Sequence, residues 1–267
     1  TDASTGRKFL TFEDGSHSFF PVRKPKTVKF RIDDGNADDQ YARLYAPDIV
    51  DAINGLNLPR YGLGNYIAEN PHEPPTQTEA KVLHDLSRAG KRLMGFCRTN
   101  LFKRLESSGR SFLLSVERHI LRNYIYLHAI EHNKPIPIGT QDPEMLDSRL
   151  FDEDADDTCI TTNIFDEEGE GEKVCHGTPL RTENDFRKKA EEIFQGYETQ
   201  YRKRFRWLRS SLFLKDLEKA LRKDIQALLK VLKKCGDWNA MEDTKLNALY
   251  YLISKRHPDG KILVFSQ

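Results

Sequence analysis

The sequence predicts a mainly α-helical protein in which long antiparallel helices pack together, with short strands flanking them. Three observations predict it. Apolar residues recur at three- and four-residue steps through four long stretches, 38% of the 267 residues are hydrophobic, and strand-like runs are confined to two short segments near the ends. A chain of this size can bury one large core or two modest ones.

Residues 1–26 are turn-rich, with Gly15, Pro21 and Pro25, and Thr27–Ile32 then alternates with Val28, Phe30 and Ile32 on one side, the pattern of a half-buried strand. Asp33-Asp-Gly-Asn36 is turn chemistry. Asp38-Asp39 is placed to cap a helix running through Tyr41, Leu44 and Tyr45, which Pro47 interrupts or restarts. A turn-rich stretch around Pro59, Gly62 and Gly64 ends at Pro74-Pro75. Beyond it Leu83, Leu86, Met94, Cys97, Leu101 and Leu105 mark one long helix with Gly109 as its stop, and Phe112, Val116, Ile120, Tyr124 and Leu127 mark a second that ends before Pro135 and Pro137. The pair reads as an antiparallel hairpin.

Between Gln141 and Glu172 the composition changes, with thirteen Asp or Glu against Arg149 alone, which predicts a flexible insertion over 141–182. Such a segment either solubilises the chain or mimics nucleic acid in a basic groove. Helical spacing resumes with Phe186, Ala190, Ile193, Tyr197, Tyr201 and Phe205, and again with Leu217, Leu221, Leu228, Leu232 and Cys235. Leu246, Leu249, Tyr250 and Ile253 continue a helix, His257-Pro-Asp-Gly260 makes a turn, and Lys261–Gln267 begins an apolar strand of the kind buried on both faces of a parallel sheet. Parallel neighbours need crossovers, so the chain reads as part of a longer polypeptide. The predicted divisions are 1–35, 36–140, 141–182, 183–258 and 259–267.

Forty-two basic against forty-one acidic residues leave a net charge of +1, which excludes a uniformly basic nucleic-acid coat and an acidic tail protein. No apolar run approaches the ~18 residues of a membrane span, and residues 1–6 carry no signal-peptide pattern, so a soluble, cytoplasmic protein is expected. Cys97, Cys159, Cys175 and Cys235 form no C-x-x-C pair; Cys159 with Cys175-His176 offers three soft ligands at wider spacing than structural zinc sites use. Gly90-Lys91 is followed by Arg92 and lacks the upstream glycine of a P-loop, so ATP hydrolysis is not expected of this chain. His128-Ala-Ile-Glu-His132 matches the H-x-x-E-H zinc-peptidase pattern, with both imidazoles on one helix face and Glu131 as base, or else forms a polar last helical turn.

The basic stretches carry the strongest functional signal. Asp85–Lys134 has ten Lys or Arg against four Asp or Glu, and Arg187–Lys234 has fifteen against six. Tyr201-Arg-Lys-Arg-Phe-Arg-Trp-Leu-Arg209 interleaves rings with five cations, a composition suited to phosphate contacts beside a packed core.

The stretches Arg92-Leu-Met-Gly-Phe-Cys-Arg-Thr-Asn-Leu-Phe-Lys-Arg-Leu-Glu-Ser-Ser-Gly109 and Phe112-Leu-Leu-Ser-Val-Glu-Arg-His-Ile-Leu-Arg-Asn123 resemble the region between the two RecA-like lobes of bacterial Swi/Snf-type helicases, superfamily-two translocases of double-stranded DNA. Met145-Leu-Asp147, Leu150-Phe-Asp152, Arg202–Leu208 with Leu212-Phe213, and Asp243-Thr-Lys-Leu246 are similar too. Lys261–Gln267 looks like the first strand of the second lobe, and Pro21–Tyr45 like the exit from the first, with Gln40 and Tyr41 in place of a Gln-x-x-x-Tyr element. The resemblance implies a fragment without catalytic or cofactor-binding residues of its own, in a parent that binds ATP and magnesium. Its flanking strands then belong to truncated α/β lobes, and its partners are duplex DNA and those lobes. The residues expected at DNA phosphates are Arg98, Lys103, Arg104, Arg118, Arg122, Arg202, Lys203, Arg204, Arg206 and Arg209. The competing reading is a freestanding helical adaptor that binds protein.

Overall fold

The computed structural model describes residues 1–2, 5–20, 24–36, 38–139 and 180–264, side chains 88–92 excepted. The acidic segment therefore lies outside the described residues up to 179, together with Cys159, Cys175, His176 and the similar stretches at 145–152. Two compact units are present, one of residues 1–31 with 243–262 and one of residues 32–242 with 263–267.

The larger unit begins with two short helices, α1 (Gln40–Leu44) and α2 (Pro47–Asn54). Asp39 caps α1 by accepting from the Tyr41 and Ala42 amides, and Pro47 opens α2, where its missing N–H is no loss. Both places follow the sequence reading. Helix α3 (Gln77–Ser107) starts at a capping box in which the Thr76 hydroxyl accepts from the Glu79 amide while the Glu79 carboxylate accepts from the Thr76 amide. Helix α4 (Gly109–Glu131) follows after one residue, because Ser108 ends α3 and caps α4 together. Cys97 Sγ and His119 Nε2, each eleven residues from Ser108, stand 3.7 Å apart, so the two helices run antiparallel as expected.

Gly109 is not the stop after α3 but the first residue of α4. The physical reason is Trp238, whose indole lies where a side chain at 109 would go. That ring also meets Tyr41 edge-on at 5.0 Å between centroids.

Helix α5 (Glu183–Thr199) opens at a second capping box, from Thr182 and Asp185, and α6 (Lys215–Cys235) ends at Gly236 with φ of +68°, a conformation that suits glycine. Helices α3, α5 and α6 all pack on α4, which buries Phe112, Val116, Ile120, Tyr124 and Leu127 among others. Each such side chain contributes roughly 1.5–3 kcal/mol on burial. The predicted helical run through Tyr201 and Phe205 stops instead at Thr199. Residues Arg202–Arg204 form a 3-10 turn, and β4 (Phe205–Leu208) pairs antiparallel with β3 (Ile136–Gly139), Pro137 facing Trp207. Neither strand was expected. A two-stranded sheet has only edges, where proline is tolerated.

Asp224 of α6 is buried and accepts from the Asn57 amide (2.8 Å), the Asn57 side chain (3.1 Å) and the Leu58 amide (2.7 Å). These bonds hold Leu58 at φ of +49°, which an apolar L-residue rarely adopts. Burial pushes the Asp224 carboxyl above its ordinary value despite the three donors.

In the smaller unit a hairpin pairs β1 (Phe9–Thr11) with β2 (His17–Phe19), turning through Gly15, and Phe9 stacks on His17 at 4.2 Å. Asp243 caps α7 (Thr244–Tyr251), whose chain continues through a π-turn at Leu252–Arg256 and the expected turn at 257–260. The expected strand at 27–32 keeps its alternation, with Val28 and Phe30 half-buried between exposed neighbours, but has no strand partner among the described residues. Residues 261–264 are likewise unpaired and exposed, Leu263 at 83%, so the described part of the expected terminal strand does not pair.

Replacing Gly109 by Ala forces Trp238 out of its seat. The substitution is expected to cost about 2 kcal/mol, as overpacking does, with a lower urea midpoint and a shift in tryptophan emission.

Candidate nucleic-acid interface

The ring-and-cation stretch is shaped by β4. Phe205 and Trp207 point to one side of the strand, where Phe205 lies 4.4 Å from the Tyr197 ring and Trp207 meets Phe194 edge-on at 6.0 Å, both on α5. Trp207 Nε1 donates to the Arg202 carbonyl at 2.9 Å and so folds the 3-10 turn back over the strand. The Arg202 guanidinium stacks 5.8 Å from the Trp207 centroid, and that of Arg204 5.5 Å from Tyr201. Each stack restricts a long cation and leaves its N–H groups outward. Arg202, Lys203 and Arg204 are exposed, and among the described residues none pairs with a carboxylate. Arg206 emerges on the opposite side of β4, exposed and 3.8 Å from Asp85 of α3.

The structure divides the ten expected residues. Arg202, Lys203, Arg204 and Arg206 share one turn and strand. Arg209, five residues beyond Arg204, is instead drawn inward. Its Nε and Nη2 donate to the two Glu79 oxygens at 2.9 Å each, Nη1 to Glu73 at 2.5 Å, and Nη2 also to the Pro74 carbonyl at 2.9 Å. A guanidinium so occupied is a brace between β4 and the start of α3. Arg98 is another, donating through Nη2 to the Leu56 carbonyl at 2.5 Å. Arg104, Arg118 and Arg122 are half-buried and already engaged. Lys103 is exposed, but eighteen residues of α3 separate it from Asp85, about 27 Å along the helix.

Local sequence gave no sign of which arginines would turn inward, because the partners of Arg209 lie some 130 residues away. The β-character of 205–208 was signalled by Phe205 and Trp207 alternating with Arg206.

The H-x-x-E-H residues end α4. The His128 and His132 rings lie 4.2 Å apart, and His132 Nδ1 donates to the His128 carbonyl at 2.8 Å. Burial first, then His132 and Lys134, hold His128 below the usual imidazole range. Glu131, however, accepts from Arg187 of α5 (3.1 Å) and Arg222 of α6 (2.6 Å), which are also bound by Glu183 and Glu218. The carboxylate needed as a base is thus the centre of a network joining three helices. Among the described residues no three His, Cys, Asp or Glu side chains are placed to hold a metal.

Burial, followed by the charges of Arg122 and Arg60, keeps His119 far below its ordinary value and so neutral beside Cys97. Among the described residues no helix is long and apolar enough to cross a membrane. No protein-family model, curated protein or solved structure matches the chain.

Hydrogen bonding from Arg209, against the opposing effect of burial, lowers the Glu79 carboxyl from 4.5 to about 2. A carboxyl lowered on folding stabilises above its unfolded value, and that stability is lost as pH falls from 4.5 towards about 2. Urea midpoints should therefore drop between about pH 6 and pH 3. Arg209→Ala should lower the midpoint at the higher pH and flatten this dependence.

Proposed function

We propose that this chain is the non-catalytic helical module between the RecA-like lobes of a Swi/Snf-like, ATP-dependent DNA translocase, and that it couples lobe movement to the duplex backbone. The exposed cationic turn at 202–204, continued by Arg206, is the observation that carries the reading. The resemblance of residues 92–123 to the inter-lobe region of that family supplies the context. ATP and magnesium belong, on this reading, to the lobes of the parent, and no residue of this chain is assigned to them.

Phosphates are the part of DNA that is the same at every step. Cations directed at them give grip without sequence preference, and that permits translocation. The stacks of Arg202 on Trp207 and Arg204 on Tyr201 favour such contacts, since both rings are covered by guanidinium groups and less open to bases. Lys103, about 27 Å away along α3, could reach a phosphate roughly eight base pairs along the same duplex.

A protein-binding adaptor is the second reading. The exposed Leu10, Phe12 and Phe20 near the hairpin and Leu246, Tyr250 and Tyr251 on α7 favour it.

Fluorescence polarisation of a labelled duplex of arbitrary sequence separates the two. For phosphate contact, affinity falls steeply between about 50 and 200 mM salt, and the joint change Arg202→Glu, Lys203→Glu and Arg204→Glu makes the log–log slope shallower by about 3. Duplex binding without salt dependence, or a slope untouched by the triple change, would sink the DNA reading and leave the adaptor.

A further inference from the structure

We infer that Asp39 and Gln40, the cap and first residue of α1, form a single clamp that fixes both the entry of the chain into the larger unit and its departure from it. The inference concerns the larger unit alone and holds whether or not the chain engages DNA.

The chain enters that unit at Ile32 and leaves it at Glu242, returning at Leu263. At the entry, the Asp33 amide donates to Asp39 Oδ2 at 2.9 Å, and the turn is closed by Asn36 N–H to the Asp33 carbonyl (3.0 Å) and Asp39 N–H to the Asn36 carbonyl (3.1 Å). The other Asp39 oxygen caps α1, accepting from Tyr41 (2.9 Å) and Ala42 (3.1 Å). One carboxylate thus ties the incoming chain to the helix. Burial opposes its charge, yet the three backbone donors Asp33, Ala42 and Tyr41 outweigh that and hold the group below its ordinary value.

At the departure the next residue does the same work. Gln40 is 4% exposed; its Nε2 donates to the Asn239 carbonyl at 2.9 Å, and its Oε1 accepts from the Asn239 amide at 2.7 Å. A carboxamide sets an NH2 donor beside a carbonyl acceptor in one plane, the complement of a single residue's backbone pair. Glutamate has no donor for the carbonyl and alanine has neither group. The neighbouring Trp238 is seated between Gly109 and Tyr41, so residues 238 and 239 are held from both sides.

Helix α1 is only five residues long, far below the length at which a helix persists alone. It exists because Tyr41 and Leu44 are buried and because its first turn is bonded to both chain connections. Loosening either connection therefore frays α1 and frees the other. The two behave as one device, so displacement of the chain at residue 32 is felt at residue 242 through a single helical turn.

Hydrogen exchange of the whole chain, read by mass spectrometry, tests the coupling. Gln40→Glu keeps the side-chain shape and loses the bond to the Asn239 carbonyl. It should accelerate exchange about tenfold over 236–242 and also over 33–36, to which the Gln40 side chain makes no hydrogen bond, while α4 core amides keep their rates. Asp39→Ala should produce the converse, accelerating 236–242 from the entry side. Acceleration confined to the mutated contact would overturn the proposal by making the anchors independent. An equal rise in the α4 amides would overturn it too, as a global loss of stability.

Discussion

A helix whose buried residues do not keep to one stripe has to be covered on several sides, and α4 sets that demand for this protein. Its buried residues point around most of its circumference, so one partner cannot satisfy it. The larger unit is the solution: α3 folds back along it, α5 and α6 close other sides. Two of the polar groups carried into this interior are accounted for locally. The Ser115 hydroxyl donates back to the Ser111 carbonyl at 3.0 Å, and His119 stays neutral against Cys97. Apart from the buried Asp224, charges also gather where helices meet at the rim, as in the network around Glu131, where each carboxylate and guanidinium offsets the desolvation of the others.

Arginine has two different uses here. Arg98 and Arg209 serve as tertiary braces, their planar forks spent on backbone carbonyls and buried carboxylate oxygens. Arg202 and Arg204 are held by aromatic faces and keep their donors outward. Counting basic residues along the chain cannot separate these uses. Arg181, Arg187 and Arg222 also meet acids, so much of the basic excess of the second half is neutralised by ion pairs within the larger unit.

The helical part of the fold was legible because periodicity reports burial directly. Asp39, Pro47 and the 257–260 turn were legible because their local chemistry has few alternatives. Phe205 misled because its distance from Tyr201 suits a helix as well as a loop, and only the alternation with Arg206 distinguished the strand. Its partner at 136–139 was hidden by Pro135 and Pro137, which read as a helix stop and no more. Val28 and Phe30 lie on the covered side, as their alternation predicts, but they form no ladder among the described residues, since alternation records which side is covered and not what covers it. Among the site residues, exposure of 202–204 could be read from their density of charge. The inward turn of Arg209 could not, because it depends on Glu79 arriving from a distant helix.

Ser108 is the whole connection between two helices of 31 and 23 residues, closing one with its amide and opening the next with its hydroxyl. Such a joint has no slack. One added residue would turn α4 by about 100° about its axis, carrying Tyr124 away from Phe186 and setting polar positions against the core. The hairpin thus accepts exchange of side chains far more readily than a change of length, and natural length variation should fall in the loops to either side of it rather than at its bend.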